Sequence, residues 1–158
     1  MTTLRCATAD DIPFIMRTER LPGYDLVVGR FGEAEHHARI ADPAWAYLVG
    51  DDGFAILNDL DNRDGNVCLK RFAVTERGRG LGSRLMPLVV DWSFTHTPVH
   101  RLWLNLVEGN EAAWRVYGKN GFLKEGVRRE AAVLPDGRRS NMIMMSILRP
   151  EWDARQRG

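Results

Sequence analysis

A glycine-rich segment with interspersed arginines, Arg77-Gly78-Arg79-Gly80-Leu81-Gly82, is the part of this sequence best suited to bind an anion. It follows an apolar stretch, Val67 to Val74, that predicts a β-strand, and it precedes a segment with helical periodicity. Glycine lets a loop turn so that several backbone N–H groups converge, and the start of a helix adds the positive end of its dipole. The pattern therefore predicts a loop that holds a phosphate or a diphosphate.

Two common phosphate-binding motifs do not fit this segment. A P-loop requires Gly-Lys followed by Ser or Thr, whereas the chain has Gly82-Ser83-Arg84. A dinucleotide fingerprint that starts at Gly78 would need a glycine where Ser83 stands. The pattern that remains is arginine, two residues, glycine, one residue and glycine, and the chain fills it with Arg77, Gly80 and Gly82.

Asn110 and Tyr117 form a second candidate pair. Asn110 is a suitable N-cap for a helix that Gly121 would end, and on a helix the two residues share one face, roughly 10 Å apart along the axis. One ligand could therefore touch both side chains. The alternative is that Asn110 serves only as a cap and Tyr117 only as a core aromatic residue. The nearby glycine loop favours a role in ligand binding.

The elements that must position these residues follow from apolar periodicity and turn residues. Strands are predicted over residues 4–7, 45–49, 54–57, 67–74, 101–107, 123–129 and 140–148. Helices are predicted over residues 33–41, 81–95 and 110–121, and another follows a capping box at 8–11 and ends at 21–23. This order predicts a single α/β (α+β) domain over residues 1–150, with a mixed sheet of about six to seven strands and about four helices. Residues 151–158 are predicted to be a loose, polar tail.

Composition argues against several classes of protein. With 158 residues, 44% of them hydrophobic, the chain can bury one core without disulfides. Its 22 basic and 21 acidic residues leave a net charge of +1, which predicts binding to neither nucleic acid nor membranes. Cys6 and Cys68 have no metal-ligand spacing, and we find no signal-like or membrane-length apolar run. We therefore expect a cytoplasmic protein without a metal site.

Three segments match one known family in order. The strand Leu69 to Val74, the loop Arg77 to Gly82 and the helix Asn110 to Phe122, with its Gly-Phe ending, resemble the central strand, coenzyme loop and following helix of the GCN5-related N-acetyltransferases. The resemblance extends from residue 2 to about residue 150 and implies the fold of that family. Glu151-Trp152, after a hydrophobic strand, is similar to the ribosomal-protein N-terminal acetyltransferases within it.

The resemblance implies acetyl-CoA as cosubstrate and transfer of its acetyl group to a primary amine, either a protein N-terminus or a small molecule, by direct attack in a ternary complex. Tyr117 would protonate the departing thiolate, and Asn110 would hydrogen-bond the pantetheine arm. The backbone of Phe72 and Val74 would pair with the pantetheine amides, and an N–H near Val74 would face the thioester oxygen. The implied cofactor-binding residues are Phe72, Ala73, Val74, Arg77, Gly78, Arg79, Gly80, Leu81, Gly82, Ser83, Arg84, Asn110 and Tyr117.

The general base is the point at which this chain departs from the family. The positions where relatives carry a glutamate are Cys68 and Asn105, which are not bases in the usual sense. Glu19, at the end of the first predicted helix, is the substitute candidate, and a solvated surface glutamate is the alternative. The missing carboxylates also leave open an inactive module that senses acetyl-CoA.

The acceptor side is the part of the sequence that says least about function. Asp25, Glu33 and Glu35 would make an entrance acidic and attract a cationic amine, although they also fit the wet face of a short helix. The sequence leaves the acceptor and the pathway open, and it leaves a homodimer open.

Overall fold

The computed structural model describes residues 3–24 and 29–158. Its strands are β1 (Arg5–Cys6), β2 (Ala46–Gly50), β3 (Gly53–Asn58), β4 (Asn66–Val74), β5 (Arg101–Val107), β6 (Leu123–Val133) and β7 (Arg139–Leu148). Its α-helices are α1 (Ile12–Glu19), α2 (Glu33–Ile40), α3 (Leu81–His96), α4 (Glu111–Lys119) and α5 (Arg149–Arg157), and a 3-10 turn (Ala9–Asp11) precedes α1. The predicted single α/β domain with a mixed sheet is confirmed, with seven strands in the sheet.

The sheet has the strand order β1-β2-β3-β4-β5-β7-β6, and β4 and β5 are its parallel pair. These two strands pair only where Asn66 to Cys68 meet Arg101 to Trp103. Further along, β4 keeps its antiparallel partner β3 up to Val74, whereas β5 continues with β7 up to Val107. A slot therefore opens in the middle of the sheet, between the second halves of β4 and β5.

Two apolar layers hold this slot in place. One cluster joins Ile15 of α1 to Phe54 and Ile56 of β3. The larger cluster, on the other face of the sheet, joins Leu85 of α3 and Leu102 of β5 to neighbouring strands. Since both layers are fully buried at these residues, the sheet is fixed on its two faces and the slot has rigid walls.

The prediction of a loose tail after Pro150 is wrong, because residues Arg149–Arg157 form α5. The Trp152 ring stacks on Phe94 with centroids 5.3 Å apart, and its indole N–H donates to Asp91 at 2.8 Å. Glu151 accepts a hydrogen bond from the N–H of Leu148 at 2.8 Å and so closes the first turn. The polar composition of this segment gave no indication that Trp152 would pack against α3 or that Glu151 would cap α5.

Among the described helices, none is long and apolar enough to cross a membrane.

Candidate active site

The glycine loop presents unpaired backbone N–H groups at the start of α3. Gly78 and Gly80 have φ angles of 79° and 74°, a region that side chains with a Cβ rarely adopt. A Cβ at either position would meet nothing within 4 Å, so glycine is needed there for its backbone conformation and not for lack of space. Gly80 is the N-cap of α3, and the first N–H groups of a helix have no carbonyl within the helix to bond. The backbone at the start of α3 therefore has the free N–H groups that the predicted anion site would need.

Two cavities meet in the slot between β4 and β5. The glycine-loop cavity, of about 320 Å³, lies between the loop, β4, α3 and α4. The hairpin cavity, of about 380 Å³, opens on the other side towards the β6–β7 hairpin. The residues that line both are Phe72, Asn105, Leu106 and Tyr117. Two molecules, one bound in each cavity, could therefore come into contact beside these four residues.

Most of the predicted cofactor-binding residues line the glycine-loop cavity. The lining includes Phe72, Ala73, Val74, Arg77, Gly78, Gly80, Leu81, Gly82, Ser83, Asn110 and Tyr117. Arg79 and Arg84 are exposed and do not line it. Arg77 donates a hydrogen bond to the carbonyl of Gly23 at 2.7 Å and lies over the ring of Tyr24. Its guanidinium therefore ties the loop to the segment that follows α1.

Sequence reasoning missed several side chains of the glycine-loop cavity, including the carboxylate of Glu76. Arg115 and Lys119 on α4 line it and add positive charge. Their spacing of four residues places them on one helix face, which is a signal the sequence did contain. Tyr24 also lines the cavity and hydrogen-bonds Val74 of β4. The two residues are 50 positions apart, so no local sequence pattern predicts this contact.

The backbone of Val74, predicted to face the thioester, is already hydrogen-bonded in this structure. The hydroxyl of Tyr24 donates to the Val74 carbonyl at 2.6 Å and accepts from the Val74 N–H at 3.0 Å. These groups point away from β3, and the backbone groups of Phe72, two residues earlier, point to the same edge. An acyl oxygen can therefore use the Val74 N–H only if the Tyr24 hydroxyl moves aside.

Tyr117 and Asn110 lie on the cavity wall as their spacing predicted. Asn110 caps α4, since its side-chain oxygen accepts from the N–H of Ala113 at 3.3 Å. Tyr117 is buried edge-to-face against Phe72 and Phe122, with ring centroids 6.5 Å and 5.6 Å away. Burial alone raises the pKa of the Tyr117 phenol well above its ordinary value. The hydroxyl is therefore protonated at neutral pH and able to act as an acid.

The shared residues also include an unsatisfied acceptor. The side-chain oxygen of Asn105 is buried and has no hydrogen-bond partner within the described residues. Leaving such a group unpaired costs about 1–3 kcal/mol, so a donor that entered the slot would be held there. Nearby, Cys68 lines the hairpin cavity, and burial raises the pKa of its thiol to about 11. Cys68 is thus a neutral thiol at physiological pH and a poor nucleophile.

Glu19, the candidate base, lies in neither cavity. Its side chain is fully buried and accepts hydrogen bonds from Arg20 and from Nε2 of His36, the latter at 2.9 Å. The other nitrogen of His36 bonds the hydroxyl of Tyr47 at 2.8 Å. The expectation that Glu19 overhangs the acceptor needs correction, because α2 packs over the end of α1 and turns this carboxylate inward.

Glu33 and Glu35, the other predicted acidic residues that the structure describes, do not line the cavities either. Both are exposed on α2, where Glu35 pairs with Arg39 at 3.4 Å. Asp25 lies outside the described residues. Within the described part of the chain, neither cavity has a carboxylate at the four shared positions.

Comparison with known proteins identifies a family for this chain. The family model described as "Acetyltransferase (GNAT) family" matches residues 26–122. A spermine/spermidine N(1)-acetyltransferase of Bacillus subtilis (strain 168) is 34% identical over 92 residues. A probable spermine N(1)-acetyltransferase of Bacillus subtilis subsp. natto is 32% identical over the same length. Each match covers 53% of this chain and 60% of the relative.

Solved structures show the same fold over nearly the whole chain. Spermidine/spermine N-acetyltransferase SpeG from Vibrio cholerae, in complex with manganese ions, has a TM-score of 0.81 at 21% identity, covering 98% of this chain and 96% of that one. A dodecameric structure of spermidine N-acetyltransferase from the same organism has a TM-score of 0.80 at 21% identity, with coverages of 96% and 95%. These relatives are named for polyamines, so the finer similarity to ribosomal-protein N-terminal acetyltransferases was wrong.

Proposed function

Because this chain belongs to the acetyltransferase (GNAT) family, we propose that it transfers an acetyl group from acetyl-CoA to a primary amine. The observation that carries the proposal is the meeting of two cavities at Phe72, Asn105, Leu106 and Tyr117. One cavity has an anion-binding loop at its far end, and the other is free to admit an acceptor. Two substrates that enter from opposite sides would form a ternary complex, in which proximity itself lowers the barrier.

The glycine-loop cavity fits the coenzyme. The N–H groups at the start of α3 would hold the diphosphate, helped by the helix dipole. Arg115 and Lys119 add cations on the opposite wall, where further phosphate charge can be bound. The backbone of Phe72 faces the slot and offers strand-like hydrogen bonds to the amides of the pantetheine arm. With the coenzyme held in this way, its thioester would lie at the junction of the two cavities.

Tyr117 would supply the proton for the leaving group. In the reaction the amine nitrogen forms a bond to the acetyl carbon, the carbon–sulfur bond breaks, and the sulfur takes a proton. The phenol carries that proton at neutral pH because burial raises its pKa. The products are then the acetylated amine and a neutral thiol, and the Tyr117 phenolate regains a proton from the water that carries away the proton of the amine.

Asn105 would position the attacking amine. Its unpaired oxygen can accept an N–H of the neutral amine but cannot remove a proton at neutral pH. The proton lost by the amine therefore leaves through water, since the junction has no carboxylate among the described residues. This role needs only a hydrogen-bond acceptor, which Asn105 provides.

Coenzyme binding is tested with Gly80→Glu, which places negative charge and bulk at the start of α3. The matched control is Gly137→Glu in the β6–β7 turn, which also has a positive φ, of 86°, and open space for a Cβ. Both substitutions strain the backbone equally, but only the first one lies in the cavity. We expect CoA affinity, measured by calorimetry, to fall at least about 100-fold for Gly80→Glu alone. Equal affinities would place the coenzyme elsewhere.

Activity is tested by thiol release from acetyl-CoA with a panel of amines. The names of the relatives make spermine and spermidine the first acceptors to include. Coenzyme binding without thiol release for any amine would favour an acetyl-CoA sensor, the second candidate, which the lack of a carboxylate at Cys68 and Asn105 motivates.

A further inference from the structure

Within residues 3–24 and 29–158, the charges that line the hairpin cavity all have the same sign. Among the described residues, the charged members of its wall are Lys70 and Arg71 on β4 and Arg128 on β6, and none is acidic. The rest of the wall is neutral, and Trp103 and Met142 give it an apolar part. Because the net charge of the whole chain is only +1, this is a local arrangement and not a reflection of overall composition.

Arg71 is built into the wall without a carboxylate bonded to it. Its Nη1 donates to the carbonyl of Lys70 at 2.9 Å, its guanidinium lies 4.6 Å from the ring centre of Phe31, and its Nε is buried without a partner in the described part of the chain. Glu19 acts on Arg71 through space and is not bonded to it. Its Oε1 accepts from Arg20 and His36, and its Oε2 is buried without a partner among the described residues.

The chain packs closely around the guanidinium of Arg71. A Cβ on Gly29 would come within 2.4 Å of the guanidinium, so the chain fits closely around it. Arginine stays protonated in proteins, and a planar guanidinium suits carboxylate and phosphate groups. A fixed cation of this kind favours an anion in the cavity and disfavours a second ammonium group.

We propose that the acceptor is a primary amine that also carries a carboxylate or a phosphate, which Arg71 and Arg128 bind while the amine reaches Asn105 and Tyr117. The inference rests on the proposed acetyl transfer, because it takes the hairpin cavity as the acceptor side. A short hydrocarbon segment between the two groups would lie along Trp103. A polyamine, by contrast, would bring its additional ammonium groups against like charges.

The test compares acceptors of similar chain length whose far group is an anion in one member of the pair and an ammonium group in the other. One pair is 4-aminobutyrate and putrescine, which have the same carbon chain, and the other is 2-aminoethyl phosphate and 1,2-diaminoethane. Spermidine is added because of the named relatives. We expect kcat/KM for thiol release to be at least about tenfold higher for the anionic member of a pair, which is the size of one favourable charge contact. The pair with the larger ratio identifies carboxylate or phosphate.

Charge reversal at the cavity wall supplies the second measurement. Arg128→Glu should lower the ratio of anionic to dicationic acceptors at least about tenfold by the same contact. Arg129→Glu is the matched control, because this neighbouring residue is also exposed, carries the same charge and does not line the cavity. Both positions are exposed, so neither change threatens folding. Arg71→Gln should move the ratio in the same direction as Arg128→Glu.

The outcomes separate this inference from the function on which it rests. Turnover that favours putrescine or spermidine over 4-aminobutyrate and 2-aminoethyl phosphate would overturn the inference and leave acetyl transfer standing. The same holds if Arg128→Glu and Arg129→Glu change the ratio equally. If none of the amines leads to thiol release from acetyl-CoA, the proposed acetyl transfer and the inference are both overturned.

Discussion

Replacing Tyr117 with Phe is the most direct test of the proposed chemistry. The change removes one oxygen atom and keeps the ring that packs against Phe72 and Phe122. The lost hydroxyl has no hydrogen bond within the described residues, and burial is the sole cause of its raised pKa. The free energy of unfolding should therefore change by less than about 1 kcal/mol.

The effect on turnover should be far larger. A positioned general acid contributes about 100- to 10,000-fold to a rate, so we expect kcat to fall at least about 100-fold, which is about 2.7 kcal/mol of transition-state stabilisation. Affinity for CoA, which depends on the glycine loop, should change less than about twofold. Steady-state kinetics with the best amine of the panel, together with calorimetric titration of CoA, measures both quantities.

The pH profile gives an independent check of the same residue. Because burial raises the pKa of Tyr117, its acidic form persists throughout the neutral range and beyond the ordinary tyrosine value of about 10. The rate should therefore show no loss from deprotonation of Tyr117 between about pH 7 and pH 10. An alkaline limb near pH 8 that vanished in Tyr117→Phe would contradict the raised pKa.

Tyr47→Phe is the matched control, since Tyr47 is another buried tyrosine and lines neither cavity. Its hydroxyl bonds His36, so this variant should lose about 1–3 kcal/mol of stability and keep its kcat. Unchanged turnover in Tyr117→Phe, or an equal loss in both variants, would refute the assignment of Tyr117 as the acid.

The remaining predictions concern three other contacts. Asn105→Leu removes the unpaired acceptor at nearly constant volume, and kcat/KM should fall about tenfold or more in the thiol-release assay. Tyr24→Phe frees the backbone of Val74, so CoA should bind several-fold more tightly in calorimetry, while the apo protein should melt at a lower temperature. Trp152→Ala removes the ring stacked on Phe94 and should lower the free energy of unfolding in urea by about 2–4 kcal/mol.

Each of these three has a result that would count against it. Full activity in Asn105→Leu would mean that the amine is held by other groups. Unchanged CoA affinity in Tyr24→Phe would mean that the pantetheine arm does not use Val74. A Trp152→Ala variant as stable as the parent chain, with Asp153→Ala as the control on the same helix, would restore the view of a loose tail.

The elements that form the proposed coenzyme site could be predicted because their signals are local. A positive φ demands glycine, so Gly78 and Gly80 mark the turn into α3 without knowledge of any other segment. Helix periodicity places Asn110 and Tyr117 on one face, since seven residues are almost two full turns. The positions of the strands along the chain followed from the same short-range patterns, and the sheet contains seven strands.

The failures concern residues whose environment is set by distant segments. The sequence predicts Glu19 as the base or, alternatively, as a surface glutamate, but His36 from another helix packs over it and buries it. No sequence pattern indicated a role for Tyr24, yet its hydroxyl hydrogen-bonds the backbone of Val74, which is 50 residues away. The polar composition after Pro150 predicted a tail, and the single ring of Trp152 turned it into a packed helix.

The sequence by itself determined the glycine loop before α3 and the helix face that carries Asn110 and Tyr117, because backbone dihedral angles and helix repeat act over a few residues. Only the tertiary structure decided which charged side chains line each cavity. Lys70 and Arg71 on β4 meet Arg128 on β6 because β7 lies between β5 and β6 and the hairpin folds back over the slot. Strand order is a property of the whole sheet, and so is the charge of the cavity that it encloses.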